Sequence, residues 1–222
     1  MKYLIALGLV ATLTACSGNG NHASKRELGN AIDEFNSKHP LCVPVNNALA
    51  GQAGNTAHLI KGRFGDEWVH ITTENLAGDD INKGAQQQMK IMTREGLYEK
   101  AGSKEQKAVL GDDIKIPTDS FRLTKEGKAQ FRSSAYGNLM CIGHVKVDEV
   151  VWFTEPTPAN GMTVTQVRFK PEYKLESFAK KLLKEDLPEL KQELENEQDL
   201  TATLVQTNEG WRDIRELAVP KR

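Results

Sequence analysis

Three cysteines, Cys16, Cys42 and Cys141, are the side chains best suited to covalent chemistry, because a thiolate can act as nucleophile, metal ligand or disulfide partner. A second candidate is Ser177-Phe178-Ala179-Lys180, whose helical spacing would put a hydroxyl one turn from an amine able to take its proton. Cys141-Ile142-Gly143-His144 offers sulfur and imidazole at half of a zinc-like spacing. Each of these weakens in context. Neither Ser-Asp-Asn nor Lys-Thr-Gly accompanies the Ser-x-x-Lys, so a solvated helix face is its simpler reading. The Cys-His pair has no second half, and His22, His39, His58, His70 and His144 do not pair along a helix. No Gly-x-Ser-x-Gly elbow and no phosphate loop ending in Gly-Lys-Ser/Thr occurs. The acidic run Glu193, Glu195, Glu197 and Asp199 reads as a solvated helix face, and Trp68, Trp152 and Trp211, in apolar strand-like contexts, read as core anchors. The sequence therefore names no catalytic residue, metal ligand, cofactor or ligand-binding residue.

Cys16 is set apart by what precedes it. Lys2 is followed by an apolar segment from Tyr3 to Val10, continued by Ala11-Thr12-Leu13. At 1.5 Å per residue this is too short for a permanent helix across a ~30 Å hydrocarbon core, and it reads as an export signal. Leu13-Thr14-Ala15-Cys16 then resembles the lipobox of bacterial lipoproteins. The resemblance implies a signal peptide over 1–15, diacylglyceryl transfer to the Cys16 sulfur, cleavage before Cys16 and acylation of the freed amine. Two or three acyl chains, each buried CH₂ contributing ~0.8 kcal/mol, would anchor the protein firmly. Ser17 stands where such lipoproteins carry Asp for inner-membrane retention, so the resemblance implies an outer-membrane anchor facing the periplasm. The small polar residues Ser17 to His22 suit a flexible tether, giving 16–23 as anchor and linker.

With Cys16 assigned to lipid, Cys42 and Cys141 remain as an even pair in an oxidising compartment. A disulfide between them is the economical expectation, and two buried free thiols are the alternative.

The elements that must carry these residues follow from periodicity. Ser24-Lys25-Arg26-Glu27 is a capping box ahead of an amphipathic helix with Leu28, Ala31, Ile32 and Phe35 on one side, ending near Ser37 before Pro40. Leu41 to Val45 is an extended apolar strip, and His58 to Thr72 suggests short strands broken by Gly62 and Gly65. Asp80 can cap a helix lined by Ile81, Ala85, Met89 and Met92, with Gly96 as its left-handed terminator. A Ser133-Ser134-Ala135-Tyr136-Gly137 linker precedes β-rich Leu139 to Phe153, a Pro-bearing turn and a partner strand from Met162 to Phe169. Two helices follow, the second opening at Asp186-Leu187-Pro188-Glu189, and a terminal hairpin turns at Thr207 to Gly210. The fold class expected is α+β, with a lobe over 24–132 packed against an antiparallel sheet covered by helices over 133–222.

Within the first lobe, Met89 to Tyr98 together with Phe121 to Lys128 looks like a winged-helix lobe, in which a helix ends in Gly-Leu and a wing strand reads aromatic-x-Leu-Thr-x-x-Gly. In the cytoplasm that resemblance would imply DNA. Here the formal charge of −1 includes Lys2, so the remainder carries −2, and basic residues are interleaved with acidic ones, which argues against nucleic acid. Two functions are left: a non-catalytic envelope module binding another envelope protein or peptidoglycan, and a periplasmic hydrolase whose groups converge only in space. A carboxyl with a raised pKa beside a second acid or His would mark the hydrolase.

Overall fold

The computed structural model describes residues 23–45, 48–50, 59–108, 111–185, 187–195 and 198–217, with side chains at all of these except 104–108, 111–115, 185, 188–190 and 193. In chain order the first elements are α1 (Lys25–Lys38), β1 (Leu41–Pro44), β2 (Ile60–Lys61), β3 (Trp68–Thr72), α2 (Lys83–Arg94), β4 (Tyr98–Ala108), β5 (Gly111–Leu123) and α3 (Lys125–Ala129). They are followed by β6 (Phe131–Ser134), β7 (Gly137–Phe153), β8 (Thr157–Ala159), β9 (Met162–Leu175), α4 (Ser177–Glu185), α5 (Pro188–Glu195), β10 (Leu200–Thr207), β11 (Gly210–Asp213) and α6 (Ile214–Leu217). Strands outweigh helices, and every ladder is antiparallel. No helix among the described residues is long and apolar enough to cross a membrane.

The larger sheet runs β1-β7-β9-β10-β11, and the smaller runs β2-β3-β5-β4. α1 starts as its capping box dictates: Glu27 N donates to Ser24 Oγ at 3.2 Å and Ser24 N to Glu27 Oε2 at 3.1 Å. It lays Leu28, Ala31 and Ile32 on the larger sheet, where Val150, Val167, Phe169, Ala202 and Leu204 complete an apolar cluster. Register breaks at Val147/Glu149 and Val150/Trp152 curl the long β7–β9 ribbon around this helix. The first helix thus belongs to the sheet formed by the second half of the chain. Residues 133–137, expected as a linker, form the β6–β7 hairpin, with Ser134 Oγ donating to Gly137 O.

A second cluster joins the halves. Phe64, Val69, Ile71, Met89, Met92 and Phe121 from the first half pack with Met140, Ile142, Phe178 and Leu182 from the second. A disulfide also joins the halves: Cys42 and Cys141 are register partners on β1 and β7, with an S–S distance of 2.03 Å.

Around α2 the structure corrects one boundary and bears out the other. Asp80 is not the cap. It bridges to Glu74, while Asn82, at φ 55°, precedes the helix and sends its amide to Thr72 O. The C-terminus ends as Gly96 requires: its φ is 78°, Gly96 N donates to Thr93 O and Leu97 N to Met92 O. A winged-helix lobe is not confirmed, because α2 packs on a four-stranded sheet of which the wing-like hairpin β4–β5 is one part. The two stretches that carried that likeness do meet. Thr124 caps α3, accepting from Gly127 N and donating to Gly96 O, and any Cβ on Gly127 would stand 2.0 Å from Leu97 O.

Candidate functional site

α2 is polar on one side and apolar on the other, and its rotation about its axis is fixed by a buried amide. Gln88, fully buried, donates Nε2 to Ala48 O at 3.0 Å and accepts from Ala50 N at 2.7 Å, so the chain at 48–50 is tied across the helix. Met89 and Met92 face inward, and the stripe Lys83, Gln87, Lys90 and Arg94, at spacings of one, two and three helical turns, faces outward.

Between that stripe and strands β4 and β5 lies a groove of about 730 Å³. Phe121 lends it an apolar wall, and Lys100 and Asp119 stand across from the helix. Four cations (Lys83, Lys90, Arg94, Lys100) oppose two carboxylates (Asp80, Asp119), a surplus of two positive charges. The carboxylates are already engaged. Asp119 accepts from Lys100 Nζ at 2.7 Å and from Ser103 Oγ at 2.6 Å, and Asp80 lies 3.8 Å from Lys83 Nζ. Lys90 and Arg94 form no ion pair among the described residues. Thr93, between them, buries its Oγ1 with no hydrogen-bond partner among the described residues. Low-dielectric walls beside unneutralised charge concentrate a positive potential here, and a buried hydroxyl without a partner costs about 1–3 kcal/mol.

Cys16 lies outside the described residues, as do His22, His58 and Glu197, and the side chain of Glu193 is not described. Cys42 and Cys141 are together in the disulfide. Ser177 and Lys180 are not brought into contact: Ser177 hydrogen-bonds Glu95, and Lys180 points to a different recess on α4. His144 sits on β7 opposite Lys174, away from any metal-like cluster among the described residues. His39 stacks on Phe35 with 3.9 Å between ring centroids, and His70 bonds Ser120. Asp199 pairs with Arg168 and Glu195 with Lys191. Of the three tryptophans only Trp211 packs against a core; Trp68 and Trp152 are 41% and 44% exposed, a correction to their reading as anchors, since each sits on an outward-facing strand position.

Several carboxyls are held in their charged form by the groups around them. Glu95 is held below the usual glutamate range by the Lys181 ammonium and the Ser177 hydroxyl, Glu34 by Lys38 and Arg212, Glu149 by Lys170, and Glu27 by its own cap. Burial pushes the Tyr98 phenol far above its ordinary value, and its bonds with Gly65 N and Asp66 O make it a structural post.

The groove went unnoticed in the sequence although its signal was present. Lys83, Lys90 and Arg94 share a face of α2 that is legible from spacing alone. What spacing could not supply is β4 and β5 standing opposite. Comparison with family models, curated proteins and solved structures finds no match for the chain.

Proposed function

We propose that the protein is a lipid-anchored module of the bacterial outer membrane, held at Cys16 and facing the periplasm, which binds without catalysis an extended acidic segment of another envelope protein. The observation that carries this reading is the pair Lys90 and Arg94, in no ion pair among the described residues and flanking in the α2 groove a Thr93 hydroxyl without a hydrogen-bond partner among those residues. Lys83 to Arg94 spans about 16 Å of helix, a length matched by about five residues of extended chain. Carboxylates at alternate positions of such a segment would meet Lys90 and Arg94 in turn, the latter in bidentate fashion, with Thr93 donating a further hydrogen bond. The helix-and-wing likeness of 80–130 has a place in this reading. The helix that would offer cations to a nucleic acid in a winged-helix protein here offers them to carboxylates.

A dye-labelled Glu-rich pentapeptide tests the groove by fluorescence anisotropy. Saturable binding is expected, weakening as salt rises and falling at least tenfold in Arg94→Glu, since mispairing a charge costs more than ~1.4 kcal/mol at a partly dry site. Binding that ignores charge reversal would refute the groove as the site. Retention on purified peptidoglycan, lost in the same variant and absent for the peptide, would replace the protein segment by a glycan partner.

A further inference from the structure

A second recess lies on the other side of α4, and its chemistry differs from that of the groove. Its volume is about 360 Å³, at the lower end for small-molecule pockets. Leu175 from β9, Leu183 from α4 and Leu194 from α5 make an aliphatic lining, and Tyr173 completes it. The Tyr173 hydroxyl is buried and has no hydrogen-bond partner among the described residues. At the mouth stand Lys180, Lys184 and Lys191, with Glu195, 3.6 Å from Lys191, as the one lining carboxylate among the described side chains. Lys180 and Lys184 are one turn apart on α4 and form no ion pair among the described residues, a like-charge arrangement that disfavours the helix slightly.

We propose that this recess binds a free fatty acid, a single acyl chain with a carboxylate head. The three leucines take the chain, which gains about 0.8 kcal/mol per buried CH₂. The head lies at the mouth, where Lys180 and Lys184 lose their mutual repulsion to a shared carboxylate and the Tyr173 hydroxyl gains an acceptor. A neutral or cationic head would leave all three groups unanswered, so the lining discriminates by charge as well as by shape. This inference is independent of the acidic-segment reading, as the two sites share no residue.

The test uses the full chain with a diazirine-bearing hexadecanoate as probe, photolysed and mapped by mass spectrometry. Label is expected on α4, α5 and the end of β9. Dodecanoate should compete and dodecylamine should not. Lys180→Glu with Lys184→Glu should weaken competition by dodecanoate at least tenfold without changing the melting temperature, because both residues are exposed. Leu194→Trp, which fills the recess from a half-buried position, should abolish the label at an unchanged melting temperature. Label scattered over the surface, label indifferent to Leu194→Trp, or equal competition by dodecylamine would overturn the proposal. Competition by a lysophospholipid but not by the free acid would overturn it in favour of a phosphate-headed ligand.

Discussion

Removing the disulfide should cost the protein a large part of its stability, and the size of the loss follows from where the bond sits. Cys42 and Cys141 are 99 residues apart in sequence and directly opposed on β1 and β7. In the chain-entropy model, closing a loop of about a hundred residues in the unfolded chain is worth about 4.7 kcal/mol. For a domain of this size each kcal/mol shifts the melting temperature by about 2–4 °C, so Cys42→Ala with Cys141→Ala should lower it by about 9–19 °C. Either single variant breaks the same bond, so the effects should be far from additive. Cys141→Ala should be slightly the worse, because Cys141 is 4% exposed whereas Cys42 is half-buried. Thermal melts followed by circular dichroism, with and without reductant, give the answer, and reduced wild type should approach the double variant. A double variant melting within about 2 °C of the oxidised wild type, less than one kcal/mol on this scale, would refute the reasoning. So would single effects that simply sum.

Three other outcomes are expected. Cys16→Ser should block labelling by a fatty-acid probe through the lipoprotein pathway, and equal labelling of variant and wild type would remove the lipid anchor from the account. Glu95, tied to Lys181 and Ser177, titrates below the ordinary glutamate value of 4.5, so its contribution is present above that value and is lost as pH falls through the folded pKa. Glu95→Gln should therefore melt lower than wild type at neutral pH, with the difference closing in acid; a difference independent of pH would contradict the pairing. Gly127→Ala should destabilise by at least about 1–3 kcal/mol, the usual cost of overpacking, because its Cβ meets the Leu97 carbonyl and not a yielding side chain; an unchanged denaturant midpoint would contradict that contact.

Most local signals in the sequence stand in the structure, the Asp80 cap excepted. The Ser24/Glu27 capping box, the Gly96 terminator, Pro188 at the start of α5 and the β10–β11 hairpin stand where short-range chemistry puts them. What escaped was long-range. Nothing near α1 in sequence indicates that Leu28 and Ile32 pack on strands more than a hundred residues later. Residues 133–137 have linker composition, but a two-residue turn satisfies the same preference for small residues while pairing Phe131 with Met140. The disulfide pair was legible by elimination, since one cysteine was already claimed by the lipobox. The groove and the leucine-lined recess were not, because each takes its walls from elements that meet only in the folded chain, and neither contains a motif.

The most direct test of the proposed binding role is photo-crosslinking in living cells, with a photoreactive phenylalanine analogue replacing Lys83 at the edge of the α2 groove. The account predicts one crosslinked envelope protein, joined through an acidic segment identified by mass spectrometry. That product should be lost when Lys90→Glu and Arg94→Glu are added and kept with Arg94→Lys. A product unchanged by the charge reversals, or one joined through an uncharged segment, would contradict it.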